Sequence, residues 1–179
     1  MTDLENYLSE PSRDDRIRQV RQKIDELDVD YIYYQYVSIT GRIMGKAIPA
    51  SHWEQVAAEG MQTWLGGVTN VFADRAGNLI GFPANASELL ALPDPETFCQ
   101  LPWNKRLARV FCTVFWCRED PDRPEQYLDS DCRGNLKRIH SEFEQKHDGL
   151  HLRVGCEPEM LWLKPGDDNA PYHETTKPY

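Results

Sequence analysis

Residues 150–163, LHLRVGCEPEMLWL, carry a contradiction. The β-branched and large apolar residues read as a strand, yet Glu157 and Glu159 stand in its apolar middle. Burying an unpaired carboxylate costs several kcal/mol, and only a cation, an Arg or Lys partner, or solvent offsets that cost. Positions i and i+2 of a strand share a face and lie about 6.6 Å apart. Two carboxylates at that separation can each hold a different divalent cation, and Mg2+ and Mn2+ favour such hard oxygen ligands. Pro158 between them lacks an N–H, so the expected strand is an edge or is unpaired there, which suits a strand facing a cavity. On spacing alone, a solvated strand face competes with metal ligation.

The chain has 179 residues, 40% hydrophobic and 27% charged, which fits a folded globular protein with a real core. Its net charge of −9 disfavours nonspecific binding to nucleic acid or to an anionic membrane. No apolar run approaches the roughly 20 residues needed to span a bilayer, and the start, MTDLENYLSEPSRDD, has no secretory signal pattern. The five cysteines, Cys99, Cys112, Cys117, Cys132 and Cys156, are dispersed and show no CxxC spacing. They read as reduced thiols in a cytoplasmic protein, with Cys112 and Cys156 as small core hydrophobes.

Residues 1–14 read as a flexible arm. In DDRIRQVRQKIDEL, Ile17, Val20, Ile24 and Leu27 recur at helical spacing behind an acidic first turn. VDYIYYQYVSI reads as a strand, Thr40–Gly41 as a turn, and RIMGKAIPA as the returning strand of a hairpin. Ser51 is expected to cap a short helix that stops at Gly60. Irregular sequence to about Gly81 is followed by SELLALPDPETFCQLPW, an apolar run entering proline-rich turns. Residues 15–105 thus form a small α+β unit. A second unit, 106–179, opens with the strand ARVFCTVFWC and continues with a helix from Asp131, its expected cap, to Gly149. Two strands and one helix cannot cover so apolar a strand, so further layers must come from elsewhere.

Five segments in this order, GRIMGKAIPA, ELLALPDPETFCQLPW, ARVFCTVF, DCRGNLKR and VGCEPEMLWL, resemble the amino-terminal part of the glutamine synthetase family over residues 15–165. The resemblance implies an α+β fold: a β-grasp amino-terminal domain, then the truncated start of a catalytic domain with an antiparallel sheet. It implies an ATP-dependent ligase that joins glutamate to ammonia through γ-glutamyl phosphate, using Mg2+ or Mn2+. It makes Glu157 and Glu159 metal ligands, one cation neutralising the transferring phosphoryl group and the other placing the glutamate substrate. It also implies homo-oligomeric rings with active sites between subunits, where Asp74 falls near an aspartate that helps bind the ammonium ion.

Three departures qualify the match. Cys132 stands where proline is usual. The latch region reads FADRAGNLIGF, without the family's two serines. The family's later metal ligands, nucleotide-binding segments and phosphate-handling arginines do not occur by Tyr179, so residues 1–179 alone are expected to be inactive. An organic amine in place of ammonia is a second reading, motivated by the altered latch, and a catalytically inactive interaction module is a third. Lys46 reads as a surface lysine in preference to a phosphate contact, Arg133 and Lys137 as helix-surface charges, and the histidines as scattered. As an ordinary turn former, Asp74 sits in DRAGN, a run rich in turn residues.

Overall fold

The computed structural model describes residues 3–69, 72–80, 88–116 and 128–160. Helix α1 spans Asp3–Leu8 and α2 Arg13–Glu26. Strands β1, Tyr31–Val37, and β2, Ile43–Pro49, follow as an antiparallel hairpin, with Val37 opposite Ile43 at the turn. After α3, Trp53–Glu59, come β3, Met61–Trp64, α4, Leu65–Thr69, and the two-residue strands β4, Phe72–Ala73, and β5, Leu79–Ile80. Strands β6, Glu88–Pro93, β7, Cys99–Gln100, and β8, Leu107–Trp116, precede α5, Cys132–Lys146.

One mixed sheet organises the chain in the order β2-β1-β8-β6-β3, with β7 also paired to β8. Strand β1 runs parallel to β8, and every other pairing in this sheet is antiparallel. The period-2 pattern of β1 sends Ile32, Tyr34 and Tyr36 to one face, where Ala108, Val110, Cys112 and Val114 of β8 join them. Helices α2 and α3 cover that face through Val20, Ile24, Trp53, Val56 and Ala57. The Trp53 ring stacks on Tyr34 at 6.4 Å, and its indole N–H donates to the Ile17 carbonyl at 3.0 Å, so the largest core side chain leaves no polar atom unpaired. Burial pushes the Cys112 thiol far above its ordinary range, which makes it the inert core residue its sequence context suggests.

Two glycines have backbone reasons. A Cβ on Gly45 would sit 2.0 Å from the Tyr34 carbonyl oxygen across the hairpin, so only glycine fits there. Gly149, with φ +77, ends α5 by turning the chain back on itself.

Several expectations are corrected. In place of a loose arm, α1 docks on the second face of the sheet, where fully buried Leu4 packs with Leu92 and Phe115. Tyr7 and Leu8 pack beside Leu4, so the i, i+3, i+4 spacing of Leu4, Tyr7 and Leu8 is a short helical signal in an otherwise polar run. Ser51 caps nothing: it lies inside a 3-10 turn, Ala50–His52, that leads into α3. Part of the run expected to be irregular forms β3 because β6 offers it a partner. The expected boundary at residue 106 falls between β8 and the strands β1, β6 and β7 that pair with it, while α2 and α3 cover one face of β8 and α1 packs on the other. Residues 150–160 form no strand and are exposed, Leu150, Leu152, Val154 and Met160 included, because no described strand pairs with them. Cys156 is therefore exposed, and Cys117 lies outside the described residues.

Candidate functional site

Glu157 and Glu159 lie in the exposed segment that follows α5. Among the described residues neither carboxylate has a hydrogen-bond or ion-pair partner, so no Arg or Lys neutralises them. Their oxygens are chemically suited to a hard divalent cation. Two carboxylates do not complete a six-oxygen shell, so water or residues outside the described set would fill the remaining positions. Residues 161–163 of the expected strand lie outside the described residues.

Asp74 sits in the loop of the β4–β5 hairpin, fully exposed. Its Oδ1 accepts from the backbone N–H groups of Ala76 at 2.8 Å and Asn78 at 2.9 Å, and its Oδ2 accepts from the Asn78 side-chain amide at 2.9 Å. The Asn78 side-chain bond, then the backbone donors, hold this carboxyl below the usual aspartate range. DRAGN therefore does form the turn its composition suggests, and in doing so presents an ionised carboxylate to solvent. No hydrogen bond or ion pair among the described residues joins Asp74 to Glu157 or Glu159.

A buried charge cluster, not expected from sequence, ties α5 to the sheet. Asp94 follows β6, and its side chain is only 8% exposed. Its Oδ2 accepts from Arg133 at 2.8 Å and from Lys137 at 2.6 Å, while its Oδ1 accepts from the Glu96 N–H at 3.3 Å. Burial alone would raise this carboxyl; Lys137 and then Arg133 outweigh burial and hold it below its ordinary value. Arg133, partly buried, and Lys137, on the exposed side of the helix as expected, both anchor α5 through this one carboxylate. The missed signal was their spacing: i and i+4 on one helix face can close on a single carboxylate. Asp131 occupies the cap position of α5, but its fully buried side chain turns inward to accept the Val114 N–H at 2.9 Å. Lys46 is exposed, as a surface lysine should be, and donates to the Gln62 carbonyl at 2.7 Å. The histidines are less scattered than they read: His140 and His151 meet at Glu144.

No protein-family profile matches the chain. A glutamine synthetase of Methanococcus voltae is 31% identical over 158 residues, covering 82% of this chain and 33% of that protein. The chain belongs to the glutamine synthetase family. Lengsin of Homo sapiens is 25% identical over 68% of this chain, and a glutamine synthetase of Staphylococcus aureus is 26% identical over 90% of it. The chain spans about a quarter to a third of the glutamine synthetases it matches and about a quarter of lengsin. A solved structure titled as a GmaS/ADP complex superposes with a TM-score of 0.52 at 23% identity, over 70% of this chain and 25% of that one, a likeness of fold. Mixed α+β architecture around one sheet is what this glutamine synthetase family member shares with it. Among the described residues, no helix is long and apolar enough to cross a membrane.

Proposed function

We propose that this chain is the amino-terminal part of an ATP-dependent ligase that forms a γ-glutamyl amide from glutamate and ammonia through γ-glutamyl phosphate. The observation that carries the reading is the match to glutamine synthetase over 158 residues. The mixed sheet corresponds to the family's β-grasp domain, and α5 belongs to the start of the catalytic domain. Glu157 and Glu159 would each hold a different divalent cation, Mg2+ or Mn2+, one to supply charge neutralisation to the transferring phosphoryl group and the other to help place the glutamate substrate. Their lack of a basic partner supports this role, since an ion pair would occupy the same oxygens.

Asp74 acts on the acceptor. The Asn78 and backbone donors keep its carboxylate ionised at neutral pH, and its place at a hairpin tip suits reach into a neighbouring subunit of a homo-oligomer. There it attracts ammonium and aids loss of a proton before attack on the acyl phosphate. The Asp94 cluster has a positioning role: it fixes α5, the helix that leads directly into the glutamate segment, against the sheet.

The test is amide formation by the product of the complete coding sequence, with ATP and glutamate, offered ammonia and small alkylamines in parallel. Metal-dependent amide formation with a preference for ammonia is expected, and residues 1–179 alone should release no phosphate. Preference for an alkylamine would replace the acceptor and keep the ligase. Absence of amide with every acceptor would sink the ligase reading and leave an interaction module.

A further inference from the structure

The C-terminal end of α5 gathers a second set of ligand-type side chains, separate from Glu157 and Glu159. His140 and Glu144 stand one turn apart on one helix face, with His140 Nε2 2.9 Å from Glu144 Oε1. Asp148 and Gly149, with φ of +53 and +77, then reverse the chain, and the Gly149 N–H closes the helix on the Glu144 carbonyl at 2.9 Å. That reversal brings His151 back across the helix end, so that its Nδ1 also contacts Glu144 Oε1. The two imidazole rings lie 6.2 Å apart, inclined at 34°. One ligand atom from each of the three residues lies within 4.8 Å of the other two, and these are the only three such residues so grouped among those described.

We propose that His140, Glu144 and His151 bind a borderline transition-metal cation of the Zn2+ class. Two neutral imidazoles and one carboxylate are the donor set such ions take, with a fourth position left to water. Metal–nitrogen bonds of about 2.0–2.1 Å in a tetrahedron separate neighbouring ligand atoms by about 3.3 Å. The His140–Glu144 pair is already close to that spacing. The remaining adjustment falls on exposed side chains, and on His151, which sits in a segment with no strand partner to resist it. Mg2+ is rejected, because it demands six oxygen ligands and dehydrates reluctantly. The consequence reaches the first site: a metal held by His151 fastens to α5 the segment that carries Glu157 and Glu159 a few residues later. This site uses none of the residues assigned to the ligase chemistry, so its fate is independent of that reading.

The test is calorimetric titration of metal-free residues 1–179 with Zn2+, in the presence of excess Mg2+, together with the visible spectrum of the Co2+ form. One equivalent should bind, and Co2+ should give the intense bands of a tetrahedral site. Loss of an outer-shell partner alone weakens metal sites about 10–100-fold, so His140→Ala with His151→Ala should weaken binding at least tenfold. All three ligands are wholly or partly exposed, so the far-UV circular dichroism of that variant should match the parent. Cys156→Ser, which removes the exposed thiol nearest in sequence, should bind as tightly as the parent. No stoichiometric Zn2+ uptake, equal affinity in the double variant, or loss of binding in Cys156→Ser would each overturn the assignment.

Discussion

Asp94→Asn tests whether the cluster beneath α5 holds the helix to the sheet. The substitution preserves shape and the acceptor for the Glu96 N–H while removing the charge that Arg133 and Lys137 share. A hydrogen bond to a charged group contributes about 1.5–3 kcal/mol, and two are weakened here. The full sum is not expected. Asn retains one acceptor oxygen, and Lys137, half exposed, recovers hydration on release. Arg133 is less exposed and recovers less, so the net loss should be about 2–3 kcal/mol at neutral pH. Urea denaturation followed by circular dichroism measures it, and a cycle with Arg133→Ala should give a coupling of about 1 kcal/mol or more. The pH dependence has a definite sign. The native carboxyl titrates below its unfolded value of about 3.9, so its contribution is full above that pH and fades as the pH falls through the native value. The gap between parent and variant should therefore close in acid. A loss under about 0.5 kcal/mol at pH 7, or a gap that does not change with acid, would refute the reasoning.

Gly45→Ala drives a Cβ into the Tyr34 carbonyl, where backbone must move, and should cost about 1–3 kcal/mol in the same denaturation assay; a neutral result would mean that the hairpin relaxes freely. Asp131→Asn has the opposite sign. Burial raises the Asp131 carboxyl despite the Val114 N–H, so the parent's stability from this group is full below about pH 3.9 and declines as the pH rises through the native value. The variant should equal or exceed the parent at pH 7 and lose that margin in acid, and destabilisation by more than about 1 kcal/mol at pH 7 would contradict this. In the complete enzyme, Asp74→Asn should impair use of the amine far more than binding of ATP or glutamate, with assembly intact. Unchanged amine kinetics would return Asp74 to its turn alone.

What could be read from the sequence follows the range of the forces involved. The helix at Arg13–Glu26 and the β1–β2 hairpin are local, written in 3.6- and 2-residue periods and in a Thr-Gly turn, and both stand where expected. The partners of β8 are not local. ARVFCTVFWC announces a buried strand but not that it lies between β1 on one side and β6 and β7 on the other, and so the boundary at 106 cuts through the sheet. The partners of Asp94 are not local either: they arrive from residues 133 and 137, about 40 positions along the chain. In the candidate site, the turn at Asp74 was legible because its donors lie within four residues. The strand at Glu157 and Glu159 was not, because a strand is a property of a pair, and the apolar alternation of residues 150–160 finds no second strand among the described residues.

The most direct test of the ligase reading is amide formation by the complete protein, titrated with Mg2+ or Mn2+ at saturating ATP and glutamate, in the parent, Glu157→Ala and Glu159→Ala. Each variant removes one anionic ligand from a site built around cations. Turnover should fall at least about tenfold in both, with half-activation displaced to higher metal concentration. Two variants with the turnover and metal dependence of the parent would make Glu157 and Glu159 a solvated pair and contradict the account.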